Sequence, residues 1–337
     1  MLRFMSSGRP TMEDVASRAG VSRALVSIVF RDVPGASEST RRRVLAAADE
    51  LGYQPDVRAS RLGRTRTRML GVVFALGHDF HAEVVDGIYA AAGDHGYEVV
   101  LSGVSPRRSE AEAVRAVLAE RCEAVALVGS RLASRDIAEL ARRLPTVSVL
   151  RHLRAPALDV VRTDEATGLE QLVDHLHELG HQRIVYLDGG SAPGAAPRRR
   201  AYQSAMARWG HEPVSLPGGL TEESGAGAAD RILTLPAGHE PTAVAAFNDR
   251  CAIGFMNTLI RRGLRVPEDM SVAGFDDIAA AGYTHVGLTT VRQDTDRLGQ
   301  LAVDRLRHRL EDRAMPSPAG MVKPTLMVRE TTAPPAS

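Results

Sequence analysis

TMEDVASRAGVSRALVSIVF (residues 11–30), continued by SESTRRRVLAAADELGYQPD (37–56), is the stretch from which the rest of the chain is read. Thr11 is a good helix N-cap, and Asp14 stands three residues on, where an acid answers the free amides of a first turn. Val15, Ala16 and Ala19 share one face at helical spacing, and Gly20 breaks that helix. Val21 plugs the turn, Ser22 caps a second helix, and Val26 and Val29 are its inward positions. Arg23, Ala24, Ser27 and Ile28 are left facing outward. A third helix starts at the cap Ser37, turns Val44, Ala48 and Leu51 inward, carries Arg41, Arg42 and Arg43 outside, and stops at Gly52. Two short helices alone could be an ordinary core hairpin. With the third helix and its arginines the pattern favours a helix-turn-helix, whose second helix lies in a DNA major groove.

The charge distribution agrees with a nucleic-acid reader joined to something else. Residues 1–68 hold 13 Arg against 7 acids, +6, whereas the remaining 29 basic and 34 acidic residues give −5, so the net +1 hides a basic arm on a mildly acidic body. The 337 residues suffice for one small and one large domain, and 44% apolar with 25% charged residues is an ordinary globular composition. Cys122 and Cys251 belong to no CxxC, which argues against a zinc knuckle or redox pair. MLRFMSSGRP lacks the apolar core of a signal peptide, and no run approaches the roughly 18 apolar residues of a membrane span, so a cytoplasmic protein is expected.

Residues 1–10 read as a loose leader and 11–54 as the helical headpiece. The segment 55–68 follows, in which Arg58, Ala59 and Leu62 share one face of at most two or three helical turns, marginal in water alone. From Met69 strands and helices alternate. LGVVFAL (70–76), YEVVLSG (97–103), AVALVG (124–129) and TVSVL (146–150) form one set; RIVYLDG (183–189), AVAAF (243–247) and SVAGF (271–275) form a second, with helices between. Such alternation implies parallel sheets covered on both faces, and two sets imply two lobes with a cleft between them. The expected boundaries are 69–161 plus 292–330 for one lobe and 162–291 for the other, with 331–337 a disordered tail.

TMEDVASRAGVS, SESTRRRVLAAADELGYQPD and the following RASRL closely resemble the lac repressor/galactose repressor family of bacterial transcription regulators, and the likeness covers nearly the whole chain. It implies a helix-turn-helix headpiece on an α/β two-lobed core like that of periplasmic binding proteins. It also implies that residues 55–68 hold a hinge helix that forms when two protomers sit together on DNA, with Leu62 wedged into the minor groove. The alternative for this segment is an arginine-rich linker. The expected DNA contacts are Thr11, Ser22, Arg23, Ala24, Ser27, Ile28, Arg58, Ala59 and Leu62.

Open parallel sheets bind ligands at the carboxyl ends of their strands. Here those ends present His78, Asp79 and Phe80; Asp188; Asn248 and Asp249; and Asp276 and Asp277, with Arg198, Arg199 and Arg200 opening a helix nearby. Carboxylates, amides and an arginine fork suit a polyol or a small anion. The family resemblance carries Arg198, Asn248 and Asp276 over as effector-binding residues, in RRRAY, FND and GFDD, and Phe80 and Leu220 stand at two more such positions. Asp249 and Asp277 are equally read as helix caps. The chain departs from the family pattern at Leu220, usually an aromatic ring, at Ala201, usually glycine, at His81, often a second aromatic, and at Ile28, often arginine.

HELGH (177–181) matches the zinc-protease pattern, but Gly180 is better read as a helix stop that throws His181 off the face. GAGAAD (225–230) lacks the third glycine of a dinucleotide loop, and GGSAPG (189–194) misses a nucleophile elbow by one residue. The expectation is a non-enzymatic regulator with no cofactor and no metal. Its expected partners are a palindromic double-stranded DNA operator, a small-molecule effector (a sugar or related metabolite) and a second copy of the chain. A transport-type binding protein without a DNA role is the alternative.

Overall fold

The computed structural model describes residues 10–31, 33–53, 66–236, 238, 240–311 and 319–336. The chain divides into two compact units, Met1–Thr67 and Arg68–Ser337.

The first unit is built from α1 (Met12–Ala19), α2 (Arg23–Phe30) and α3 (Glu38–Leu51). Thr11 and Asp14 close a capping box: Asp14 N–H donates to Thr11 Oγ1 at 3.3 Å and Thr11 N–H to Asp14 Oδ2 at 2.7 Å. Ser22 and Ser37 cap the next two helices, and Gly20 and Gly52 end α1 and α3 in the left-handed conformation that glycine adopts without strain. Val15, Ala16, Ala19, Val26, Val29, Val44, Ala47 and Ala48 form its core, flanked by the Phe30 and Tyr53 rings, whose centroids lie 5.5 Å apart.

The second unit contains two six-stranded sheets of the same design. The first holds β1 (Met69–Ala75), β2 (Glu98–Val104), β3 (Ala124–Val128), β4 (Thr146–Val149), β5 (Leu158–Thr163) and β11 (Ala319–Val322) in the spatial order β11-β5-β4-β3-β1-β2, parallel throughout. The second holds β6 (Ile184–Asp188), β7 (Val214–Pro217), β8 (Ala243–Ala246), β9 (Ser271–Asp276), β10 (Thr289–Arg292) and β12 (Thr325–Met327) in the order β12-β10-β9-β8-β6-β7, with only β12 antiparallel. The period-2 alternation of the strands sorts their side chains to two covers. Leu70 and Val72 pack under α4 (Asp79–Asp94) and α11 (Thr295–Leu310), whereas Met69 and Val73 pack under α5 (Glu110–Ala119) and α6 (Ser134–Arg143). In the second lobe Ile184 and Tyr186 meet α7 (Glu165–Glu178) and α8 (Ala195–Arg208); Val185 and Leu187 meet α9 (Glu222–Ile232) and α10 (Asp249–Arg261). Helices therefore cover both faces of both sheets, as parallel sheets require, while the edge strands β2 and β7 stay partly exposed.

The chain passes between lobes at residues 163–165, 292–295 and 322–325. Two expectations are corrected here. Residues 325–330 do not return to the first lobe: β12 covers the edge of β10, pairing Thr290 with Met327 and Arg292 with Thr325. The described part of the tail, 331–336, is not disordered. Thr331 is 3% exposed, donates through Oγ1 to Val272 O at 2.7 Å and accepts from Thr289 N–H at 2.9 Å, and Ala333 N–H donates to Ser271 Oγ at 3.1 Å. Val272 N–H, Val272 O and Thr289 N–H at this edge thus find partners in the tail.

Candidate functional site

On the headpiece, α2 presents Ser22, Arg23 and Ala24 to solvent. Arg23 Nε lies 3.9 Å from Glu13 Oε2, both side chains about 70% exposed; a pair so solvated is worth little and leaves the guanidinium available. Ser27 and Ile28 are half-buried rather than fully outward, because the Ile28 side chain leans over Gly35 in the turn before α3. Thr11 stands at the start of α1 as its cap. Arg58, Ala59 and Leu62 lie outside the described residues.

In the core, strand order reverses between β1 and β3 and again between β6 and β8, and a crevice opens at the carboxyl ends of the strands at such points. One cavity of about 410 Å³ lies there between the lobes. Phe80, Arg198, Leu220, Asn248 and Asp276, named from five distant places in sequence, all line it. His78 and His81 join them from the first lobe.

Arg198 is the centre of the polar end. It is buried, its guanidinium carbon 3.6 Å from the Phe275 ring centroid and 4.7 Å from that of Phe247. Nη1 donates to Phe247 O at 2.7 Å, Nη2 lies 3.5 Å from Asp276 Oδ1, and Nε has no hydrogen-bond partner among the described residues. Asp276 accepts from Gln293 Nε2 at 2.7 Å. Its φ of 121° is a conformation that a side chain rarely adopts, and strain of this kind persists only where surrounding structure imposes it. Burial pushes the Asp276 carboxyl up, against the pull of Arg198 and the Gln293 hydrogen bond. Asn248 caps α10 by accepting from Cys251 N–H at 2.9 Å, and donates to Leu220 O at 3.1 Å, tying the two loops together. At the other end Phe80 is packed into the first-lobe core beside the cavity. The His78 and His81 rings stack with centroids 4.6 Å apart. Burial, with the charges of His78 and Arg131, brings His81 down to about 3, which favours the neutral imidazole, and its Nδ1 has no hydrogen-bond partner among the described residues.

Other residues named from the sequence take structural work instead. Asp249 is buried beneath the cavity, accepting from Thr290 Oγ1 at 2.5 Å and Ile278 N–H at 2.8 Å. Asp277 pairs with Arg292 at 2.7 Å and Arg329 at 2.6 Å, and Asp188 pairs with Arg199, away from the lining. In HELGH, Gly180 turns the chain at φ 101°. His177 then stacks on Trp209 and meets His211 Nε2 at 3.0 Å, whereas His181 is held by Thr242, Ser271 and Ala333. Gly225 of GAGAAD lies where α9 crosses Cys251 O closely. Glu165, Arg250 and Gln293 line the cavity and were not singled out from the sequence, although Glu165 and Gln293 follow the carboxyl ends of β5 and β10.

The two units thus define a class of protein: a helix-turn-helix headpiece in one chain with a core like that of the periplasmic binding proteins. Residues 11–56 match the family described as bacterial regulatory proteins, lacI family, and residues 173–332 match the periplasmic binding protein-like domain. The chain is 32% identical over 330 residues to the HTH-type transcriptional repressor CytR of Escherichia coli (strain K12), covering 96% of both. Among solved structures it is similar to a LacI transcriptional regulator from a Rhodococcus species (42% identity, TM-score 0.76, 80% of this chain and 100% of that one). It is also similar to the lac repressor bound to ONPG in the repressed state (31% identity, TM-score 0.83, 96% and 100%). The chain belongs to the lacI family of bacterial regulatory proteins. No described helix is long and apolar enough to cross a membrane.

Proposed function

We propose that this protein is a repressor that binds a palindromic operator as a dimer and releases or tightens its grip when a small, hydroxyl-bearing metabolite enters the interlobe cleft. The observation that carries the reading is the convergence of Phe80, Arg198, Leu220, Asn248 and Asp276 on one cavity, in a chain that also carries an exposed recognition helix. Residues 11–54 read the DNA and 55–68 couple the core to it. Arg23 donates to a guanine edge, Ala24 and Ile28 contact thymine methyls, and Thr11, Ser22 and Ser27 contact phosphates, which fix register without reading sequence. Arg58, Ala59 and Leu62 add further DNA contacts, Leu62 as a wedge in the minor groove. The effector acts only through its differential affinity for the two arrangements of the lobes.

The test is selection of bound duplexes from a random library by the full chain at moderate salt, repeated with a pool of sugars and related metabolites. A palindromic consensus whose occupancy changes with the pool is the expected result. Weak, sequence-blind, steeply salt-dependent binding in both conditions would sink the proposal.

A further inference from the structure

Glu165 opens α7 directly after Asp164, which caps that helix. Acids in a first turn ordinarily face water and answer the helix dipole. This one is turned inward: it is 5% exposed, it lines the cleft, and among the described residues no hydrogen bond or ion pair holds its carboxylate. Burial raises its pKa although the charges of Arg198 and Arg162 pull the other way. Gly194, at φ 82°, lets the chain pass: a β-carbon there would stand 2.3 Å from Glu165 Oε1 and 3.5 Å from Arg198 Nε. The Glu165 carboxylate and the Arg198 Nε–H, which has no hydrogen-bond partner among the described residues, therefore converge on one spot in the cleft wall.

The charges decide what that spot takes. Arg198 is already matched by Asp276, and Arg250 by Glu222. The stacked His78 and His81 are held below the ordinary imidazole range, so they add no positive charge. Arg131 lines the first-lobe side of the cavity with an exposed, solvated side chain, and its charge acts on the histidines there. Glu165 is thus a buried acid that feels the charges of Arg198 and Arg162 but, among the described residues, accepts a hydrogen bond from neither. An O–H brought against it satisfies the carboxylate, whereas a phosphate or carboxylate there would bury a second unpaired negative charge, which is costly.

We propose that Glu165 is a specificity-determining residue of the cleft, taking an uncharged hydroxyl of the effector and excluding molecules that bring an anionic group to the Gly194 end. This rests on the reading of the cleft as the effector site.

The test uses the full chain on its selected operator, with paired probes: D-ribose and ribose 5-phosphate, D-glucose and glucose 6-phosphate, adenosine and its 5′-monophosphate. Operator affinity is titrated with each. In the wild type the active probe is an uncharged member, and its phosphorylated counterpart is weaker by at least about tenfold, the worth of one charged hydrogen bond. Glu165→Gln, equal in volume, weakens the uncharged probe and shrinks the preference to about twofold. A folding defect would not shift that ratio. Glu165→Asp keeps the charge and is expected to keep the exclusion if Glu165→Gln fails to fold. A phosphorylated probe acting as strongly as its partner on the wild type, or a tenfold preference surviving in Glu165→Gln, overturns the assignment. Specific operator binding that no probe shifts would instead overturn the effector reading of the cleft, and this assignment with it.

Discussion

Asp276 lines the cleft and Asp249 is fully buried near it, close enough for the charge of one to act on the other. Burial pushes Asp249 up, the charge of Asp276 adds to it, and the hydrogen bonds from Thr290 and Ile278 only partly oppose it. A group whose folded pKa exceeds its unfolded value holds its proton longer in the native state, so stability falls as pH rises through that elevated value. Core melting is therefore expected to drop from mildly acidic to mildly alkaline buffer. Asp249→Asn can keep both hydrogen bonds, accepting from Ile278 N–H and donating to Thr290, and should flatten that dependence, gaining on the order of 1–3 kcal/mol at the alkaline end. Melts of the two proteins across pH check this; identical slopes would mean Asp249 keeps an ordinary carboxylate. Arg23 is the corresponding residue of the headpiece. Since its pair with Glu13 is solvated, Arg23→Ala should leave headpiece melting within about 0.5 kcal/mol. If it reads guanine it should cost about 1–3 kcal/mol on the selected operator and relax preference at one base position. Competition titrations against single-base operator variants separate reading from mere charge.

At the scale of elements, glycines set how closely helices cross. A β-carbon on Gly254 would stand 2.0 Å from Glu222 O, and one on Gly225 2.0 Å from Cys251 O, so α9 and α10 touch backbone to backbone; Gly87 and Gly299 do the same for α4 and α11. Gly254→Ala must push α10 off α9, and overpacking of this kind costs about 1–3 kcal/mol. Chemical denaturation of the core is expected to show that loss, and an unchanged midpoint would mean the crossing can relax. The same elements show what a sequence discloses. The headpiece is legible because caps, inward valines and stopping glycines are local signals. The strand β5 is not, because LDVVRT carries Asp159, whose buried carboxylate is answered by Arg309, 150 residues away, at 2.7 Å. Missing that strand hid the loop at its carboxyl end, and Glu165 with it. The lobe of β12 and the order of the tail are illegible for a related reason: three residues hold their strand only through the partner at Thr290–Arg292, which no propensity announces.

For the whole molecule the question is what holds the lobes together around the cleft. Arg250 projects from α10 and is gripped by both oxygens of Glu222, at 2.9 and 2.7 Å. So oriented, its Nη1 donates at 2.5 Å to Gly77 O, at the end of the first strand of the other lobe. Ala279 N–H reaches Glu83 Oε1 of the first lobe at 3.3 Å, a longer bond. Arg250 is thus a preorganised donor across the cleft, and a hydrogen bond with one charged partner is worth about 1.5–3 kcal/mol, a tenfold or larger bias toward the closed arrangement. Arg250→Ala removes it without a new clash, and solution scattering of the unliganded core should show a larger radius of gyration. An effector that selects closed lobes then binds more weakly, by the factor by which the closed population falls. Coupling is reciprocal, so basal operator affinity should move opposite to the direction in which the effector moves it in the wild type. If scattering and effector affinity both stay as in the wild type, the Arg250–Gly77 bond is incidental and closure rests on the ligand alone.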